Sequence, residues 1–400
     1  DKMRPLFRTL DGGLFSEKAG KADVGDAVSK LQAEGGTLMC WADPFYPDRV
    51  IPQKVLERSV EVIQQGVACH YTPPIGNADL KEVIAKKIER DNHIKVNPQR
   101  NIIINPGSDV GLYFAMTPFI EPGDEVLVHD PSYPSNFLDP QLLNGVVVKV
   151  PTYEEDNYRL RVEEYEKRLT PKTKMVLLSS PNNPTGRVFT REELTELSQF
   201  IIKHDLICVC DQAFEDTAFP GHEMVTMASL PGMWERTVSC SSLSKTYSVT
   251  GWRLGYAIAP ENIMARIRQY HDFNAVGCPS PLMEAAVVGL NMPLSYYDEF
   301  GAHYAHMKKI FTEGMRDIGI PFTDPEGTYF VLADISPYLK KGQSDVDFCE
   351  QLARKAGVGA VPGSSFFNEP INNIVRLHFA KKDETLYAAL DRLNHIKDMM

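Results

Sequence analysis

The sequence predicts an α/β protein: a large unit built from alternating strands and helices, joined to a smaller α+β unit. Three observations carry that expectation. From Asn101 onward, short apolar runs at 102–104, 125–130, 174–179, 206–211 and 237–240 alternate with helix-like stretches, the signature of strand–helix–strand units. In the C-terminal third the character changes, with separate short strands at 329–333, 358–361 and 374–379 set between helices. Size is the third: 400 residues, 43% of them hydrophobic, are too many for one simple core. The expected division is 48–284 for the large unit, with 1–47 and 285–400 forming an N-terminal arm and the smaller unit.

Bulk properties narrow the class. A net charge of −11 argues against nucleic acid or an anionic membrane as the main partner, though a local basic pocket for a small anion is compatible with it. Seven cysteines, an odd number without metal-type spacing, suggest reduced thiols, a cytoplasmic location and no metal site. Cys208 and Cys210 lie one residue apart in an apolar run, which buried strand packing explains. No run of about eighteen apolar residues exists for a membrane span, and the start, Asp1-Lys2-Met3-Arg4, lacks an apolar signal core.

Taken in order, residues 1–47 show little pattern beyond a helix over 24–34, followed by the aromatic and proline-rich connector Cys40-Trp41-Ala42-Asp43-Pro44-Phe45-Tyr46-Pro47. A helix over 52–66 ends on glycine. After the turn His70-Tyr71-Thr72-Pro73-Pro74-Ile75-Gly76 comes an amphipathic helix over 77–90. Strand 102–104 runs into Asn105-Pro106-Gly107-Ser108-Asp109 and a helix to about 119. A glycine turn and a serine opening a helix make an anion site, because the first N–H groups lack partners and the helix dipole is positive there. Asp109 would repel an anion, so its backbone N–H is expected to face the anion while its side chain turns away.

Strand 125–130 leads to Tyr133, an aromatic at a strand's carboxyl end that either covers a flat ring or belongs to the core. Strand 146–150 follows, and the charge-rich stretch 153–167 reads as a solvated face. Strand 174–179 opens into Ser180-Pro181-Asn182-Asn183-Pro184-Thr185-Gly186, where two prolines and a glycine hold the loop so that Asn183 can present its amide. After a helix over 191–203, strand 206–211 ends on Asp211; an ionised carboxylate there needs a partner, either as an N-cap or to a cation. Strand 256–259 is followed by helices over 261–273, 280–291 and 297–318, and later by helices over 346–355 and 384–400.

Between strands 237–240 and 256–259 lies Ser241-Ser242-Leu243-Ser244-Lys245-Thr246-Tyr247-Ser248-Val249-Thr250-Gly251-Trp252-Arg253. A primary amine that attacks a carbonyl must be kept from competing carboxylates and lose its proton easily. The neighbouring hydroxyls and the Arg253 fork suit a phosphate; a solvated lysine in a serine-rich loop is the plainer alternative. The segment resembles the Schiff-base lysine segment of class I/II aminotransferases, the pyridoxal-phosphate enzymes of fold type I and the aspartate aminotransferase superfamily. The Gly107-Ser108 turn, the Asn-Pro-Thr-Gly loop, the strand-end Asp211 and the strand Val375-Arg376-Leu377-His378-Phe379 match the same family in its order, and the resemblance spans about residues 36–395.

That resemblance implies a mostly parallel seven-stranded sheet in the large unit and pyridoxal 5′-phosphate as cofactor. It makes Lys245 the catalytic residue, with an amine near neutrality because of cationic surroundings. Asp211 would keep the ring nitrogen protonated, Tyr133 would stack on the ring, and Asn183 would donate to O3′. The turn at Gly107, Ser108 and Asp109, with Ser242, Ser244 and Arg253, would hold the phosphate, while Tyr71 would reach the phosphate of a neighbouring subunit in a homodimer with shared sites. Arg376, Asn183, Ala42 and Trp41 would face the substrate, although Cys40 and Ala42 stand where the family has glycines, and Trp41 reads equally as part of a packed linker. Phe15, Trp41 and Tyr46 are the aromatics expected near the substrate side chain. The family often has a tyrosine three residues after the aspartate; here Phe214 removes that donor. Amino-group transfer between an L-amino acid and a 2-oxo acid is the expected activity, with a carbon–sulfur β-lyase or a regulatory protein reusing the fold as alternatives.

Overall fold

The computed structural model describes residues 2–9 and 26–399. Phe15 and the first two positions of the helix expected over 24–34 lie outside the described residues; the remainder of that helix is Asp26–Ala33.

Strand β1 (Thr37–Leu38) precedes the large sheet, which contains β2 (Ile102–Asn105), β3 (Glu125–Asp130), β4 (Val146–Pro151), β5 (Thr173–Ser179), β6 (Ile207–Gln212), β7 (Thr237–Ser242) and β8 (Gly255–Ile258). Their order across the sheet is β2-β8-β7-β6-β5-β3-β4. All neighbours are parallel except β8, which runs antiparallel to both β2 and β7. The central strands are buried along almost their whole length, which is why they read as continuous apolar runs and not as alternation. Two neighbouring strands end together on polar residues: Ser179 pairs in register with Asp211. Beside them, Gln212 of β6 faces Ser241 of β7. Because β8 reverses direction, Gly255 comes back beside Ser242, and the carboxyl end of β2 joins the same rim.

The helices between strands carry clear punctuation. Thr190 caps Arg191–Lys203 in a reciprocal capping box with Glu193, and Asn77 caps Ala78–Asn92. The stretch 153–167 is less solvated than expected: on the short helix Val162–Glu166, Tyr165 is fully buried against Phe200. The local charge pattern marks only one face of that helix.

The remaining strands are β9 (Phe322–Thr323), β10 (Phe330–Asp334), β11 (Val358–Gly359), β12 (Val361–Pro362) and β13 (Ile374–His378). They form an antiparallel sheet of order β12-β13-β10-β9, while β11 pairs with β1. One hydrophobic cluster joins Leu31, Leu38 and Met39 of the N-terminal arm to this sheet and to residues of the long helix Leu294–Ile318 and of Asp383–Asn394. Arg376 is thereby placed in the middle of β13, opposite Leu332 on one side and Val361 on the other.

Candidate active site

The carboxyl ends of the parallel strands open onto a cleft that is partly open to solvent, the position at which sheets of this kind bind ligands. Strand β6 contributes Asp211, and the turn after it Ala213 and Phe214. Strand β7 and the segment that follows supply Ser242, Ser244, Lys245 and Arg253. Ser108, Asp109, Tyr133, Asn183 and Ala42 complete the lining.

Lys245 retains some exposure through the cleft, yet its amine is enclosed by protein. Nζ donates to the carbonyl of Ala42 at 3.2 Å and stands 5.6 Å from the centroid of the Phe214 ring. Burial brings the amine down to about 8; Asp43 and Asp109 oppose the shift, and Arg253 and Arg376 add to it. The sequence expectation credited the cations. The larger cause is the loss of water around the ammonium.

Asp211 is 6% exposed. Its carboxylate accepts from the backbone N–H of Ala213 at 3.2 Å, from Ser179 Oγ at 3.2 Å and from Asn136 Nδ2 at 3.5 Å. Burial raises the carboxyl to about 6, with Asp109 contributing, while these hydrogen bonds pull the other way. Ser179 is held in turn by its backbone N–H, which donates to His129 Nε2 at 3.0 Å. Nδ1 of the same ring faces the Pro131 carbonyl at 3.1 Å, an arrangement that puts the proton on Nδ1 and keeps the imidazole neutral. Sequence reasoning missed Asn136, Ser179 and His129; only the shared register of strand ends could have pointed to Ser179.

At Gly107 the backbone is left-handed (φ 85°), and a Cβ there would overlap the Arg253 guanidinium. At Gly255 a Cβ would overlap the backbone of Ser108 and Ser241, so glycine lets β8 lie against the start of the helix Ser108–Met116. Arg253 bonds the Thr250 carbonyl at 2.8 Å and reaches Asp109 at 3.6 Å. Asp109 therefore faces Arg253 and the cleft, and does not turn away as expected, because the arginine offsets its charge. Ser244 Oγ is buried with no hydrogen-bond partner among the described residues.

Arg376 is 3% exposed and lies behind Asn183. Nη1 donates to Asn183 Oδ1 at 2.7 Å and Nη2 to the Cys40 carbonyl at 3.2 Å, while Nε has no partner among the described residues. Its guanidinium carbon lies 4.0 Å from the ring centroid of Phe330 and 4.5 Å from that of Phe366. Burial lowers this group to about 10.

Four expected residues do not line the cleft: Gly107 and Arg376 lie just behind it, against Arg253 and Asn183, whereas Trp41 and Tyr71 lie elsewhere. Trp41 packs against the C-terminal core with its ring 6.2 Å from that of Tyr46, while the carbonyl of the next residue, Ala42, accepts from Lys245. Tyr71 is 93% exposed and borders a separate depression with Ile63, His70 and Val276.

The donor set fits pyridoxal phosphate. An unpartnered hydroxyl, two further serines, a helix N-terminus and a guanidinium suit the phosphate. A buried carboxylate suits a protonated ring nitrogen, and a buried amine near neutrality suits an aldehyde.

Comparison with known proteins points the same way. The family model "Aminotransferase class I and II" matches residues 39–393. The aromatic-amino-acid aminotransferase 2 of Thermococcus litoralis is 33% identical over 354 residues, 88% of this chain and 89% of that protein. An aspartate aminotransferase of Pyrococcus abyssi matches to the same extent, 33% over 354 residues and 88% and 89% of the two chains. Among solved structures, an aromatic aminotransferase from Pyrococcus horikoshii superimposes with a TM-score of 0.85 at 31% identity, covering 93% of this chain and all of that one.

Proposed function

The chain belongs to the class I and II aminotransferases, fold type I enzymes that use pyridoxal phosphate to move an amino group from an amino acid to a 2-oxo acid, and on that premise we propose that Lys245, Asp211 and Arg376 are the charged centre of its active site. One observation carries this reading. All three charges are enclosed, and among the described residues each has hydrogen bonds only to neutral groups: Lys245 to a carbonyl, Asp211 to an amide, a hydroxyl and a backbone N–H, Arg376 to an amide and a carbonyl. Uncompensated buried charges cost several kcal/mol each, on the order of 3–5. A ligand with a cationic ring nitrogen, an electrophilic carbon and a carboxylate offsets all three.

When bound, pyridoxal phosphate supplies an aldehyde and an electron-accepting ring. The protein's part is positioning and proton movement. Asp211 Oδ holds the proton of a ring nitrogen in place. Ser108, Ser242, Ser244, Arg253 and the N–H groups opening Ser108–Met116, from Gly107 through Asp109, bind phosphate oxygens. Tyr133 covers a ring face, and Asn183 donates from Nδ2. Arg376 takes the substrate α-carboxylate with a planar fork, beside Ala42. With an amine near 8, Lys245 is about a tenth neutral at pH 7 and about half neutral at pH 8, so Nζ can accept the α-proton and return it.

The β-lyase alternative gains no support from relatives named for amino transfer. A homodimer with shared sites is part of the same reading. Leu56, Val60 and Ile63 on the helix Gln53–Gln64 are exposed together with Tyr71 and Val276, an apolar face that a second copy would cover. Tyr71 then reaches the partner's phosphate. Residues 48–284 serve as the cofactor-binding unit and 1–47 with 285–400 as the smaller one, which the cluster shared by the arm and the C-terminal sheet supports. Seven free thiols accord with a cytoplasmic location.

The test is a panel of L-amino acids offered with 2-oxoglutarate or pyruvate, together with borohydride reduction and peptide mapping. Cofactor fixed to Lys245, and turnover that requires the 2-oxo acid, are expected. Label on another lysine, or release of pyruvate and ammonia without an acceptor, would overturn the reading.

A further inference from the structure

A second group of charges, which the reaction does not use, lies beside the lysine segment. Lys87, in the middle of the helix Ala78–Asn92, is 5% exposed. Its amine lies 3.0 Å from Asp216 Oδ1, 3.1 Å from Asp91 Oδ2 and 3.3 Å from Glu215 Oε1. Each of the two adjacent acids grips the rim of the cleft by a hydroxyl. Asp216 Oδ2 accepts from Thr246 Oγ1 at 2.7 Å, one residue after Lys245. Glu215 Oε2 accepts from Ser241 Oγ at 3.2 Å, one residue before Ser242, and its Oε1 accepts from Tyr256 OH at 2.6 Å. The same acids open the turn Glu215–Thr217 that follows Phe214, a wall of the cleft.

We propose that Lys87 is a positioning residue for amino transfer: by binding Glu215 and Asp216 together, it fixes the segment carrying Lys245 against the turn carrying Phe214. Two neighbouring carboxylates at low dielectric repel, and desolvation works against both. One ammonium within reach of both offsets that repulsion, and an ionised carboxylate accepts a stronger, shorter hydrogen bond than a neutral acid. Burial pushes the Glu215 carboxyl up, and Lys87 is the chief influence opposing that rise. Without Lys87 the two acids lose their shared partner and repel each other, their hold on Thr246 and Ser241 weakens, and the Lys245 segment loses a fixed point. A misplacement of about 1 Å at a reacting group costs on the order of 100-fold in rate.

This inference rests on Lys245 being the cofactor-bearing lysine. The experiment compares holoenzymes of Lys87→Met, Thr246→Val, Thr246→Ser and the Lys87→Met/Thr246→Val double variant. Expected for Lys87→Met and Thr246→Val are a full complement of cofactor, an altered visible circular dichroism of that cofactor, and a kcat lowered roughly 10- to 100-fold with KM changed less than about 3-fold. Thr246→Ser, which keeps the hydroxyl, should behave as the wild type. The double variant should be no worse than Lys87→Met within about 2-fold, because both changes break one path. A Lys87→Met enzyme that melts earlier but keeps wild-type kcat and visible dichroism would overturn the proposal. If Lys87→Met does not fold, the Thr246 pair decides: wild-type behaviour of Thr246→Val overturns it. Borohydride label away from Lys245 in the wild type defeats the premise, whereas label on Lys245 with both variants at full rate defeats only the inference.

Discussion

Arg376 donates to Asn183 Oδ1 across 2.7 Å, linking residues 193 positions apart. A guanidinium is donor only, so this bond decides which way the Asn183 amide points: its oxygen faces the arginine, and its NH2 group is left for an acceptor in the cleft. Carboxylate grip and ring donor are thus one unit, and disturbing either reaches the other.

Replacing Arg376 by lysine should test the grip. A lysine cannot present the planar fork, and loss of one or two charge-assisted bonds at about 1.5–3 kcal/mol each corresponds to roughly 10- to 10⁴-fold in kcat/KM. Steady-state kinetics should show the loss mainly in KM, with the cofactor retained. A change below about 3-fold would place the carboxylate elsewhere.

For Asp211, Asp211→Asn keeps the size and removes the charge. About 100-fold or more should be lost from kcat, since breaking a buried charge pair costs about 3–5 kcal/mol, while absorbance still reports bound cofactor. Asp211→Glu should lose less. Near-normal turnover in the asparagine variant would remove Asp211 from its role.

The amine of Lys245 yields a pH prediction with a definite sign. Its value in the folded protein, about 8, lies below the ordinary lysine value, so the neutral amine accumulates as pH rises through about 8 and not only above 10. In cofactor-free protein, the rate at which added pyridoxal phosphate becomes fixable by borohydride should rise between pH 7 and 9 and then level. A rise that continues past pH 10 would show that burial does not control this amine.

Phe214 is 5% exposed, lines the cleft and packs edge-on to Tyr329 and Phe330 at 5.3 and 5.6 Å between centroids. Phe214→Tyr should add a donor to the cofactor's ring oxygen and lower the pH midpoint of the bound cofactor's visible absorbance. The shift should be about one to two units, given roughly 1.5–3 kcal/mol for a hydrogen bond to a charged group. An unchanged or raised midpoint would mean that the hydroxyl does not reach that oxygen.

Tyr71 tests the assembly. Tyr71→Phe should weaken cofactor retention modestly, by about 1 kcal/mol, for one hydrogen bond among several, and sedimentation should give a dimer for both proteins. A fully active monomer would exclude the shared site.

How much of this was legible without coordinates follows from the range of the forces involved. Strand–helix alternation, the glycine turn at Gly107, the proline-fixed loop around Asn183, Asp211 at a strand end and the hydroxyl-rich run around Lys245 are local patterns. Backbone sterics and the burial of apolar runs act over a few residues, so the sequence by itself determined the α/β frame and most of the residues that line the cleft. Tertiary structure alone decided how those residues meet. Trp41 lies outside because it packs against the C-terminal core; Asp109 faces the cleft because Arg253 arrives from 144 positions away to offset it. The Lys245 amine is shifted chiefly by the protein wrapped around it and less by the cations beside it. Lys87 meets Glu215 and Asp216 only because the packed fold brings the helix Ala78–Asn92 against the turn after β6. Electrostatic energies depend on distance and on the exclusion of water, and neither quantity exists along a chain until its distant segments have packed.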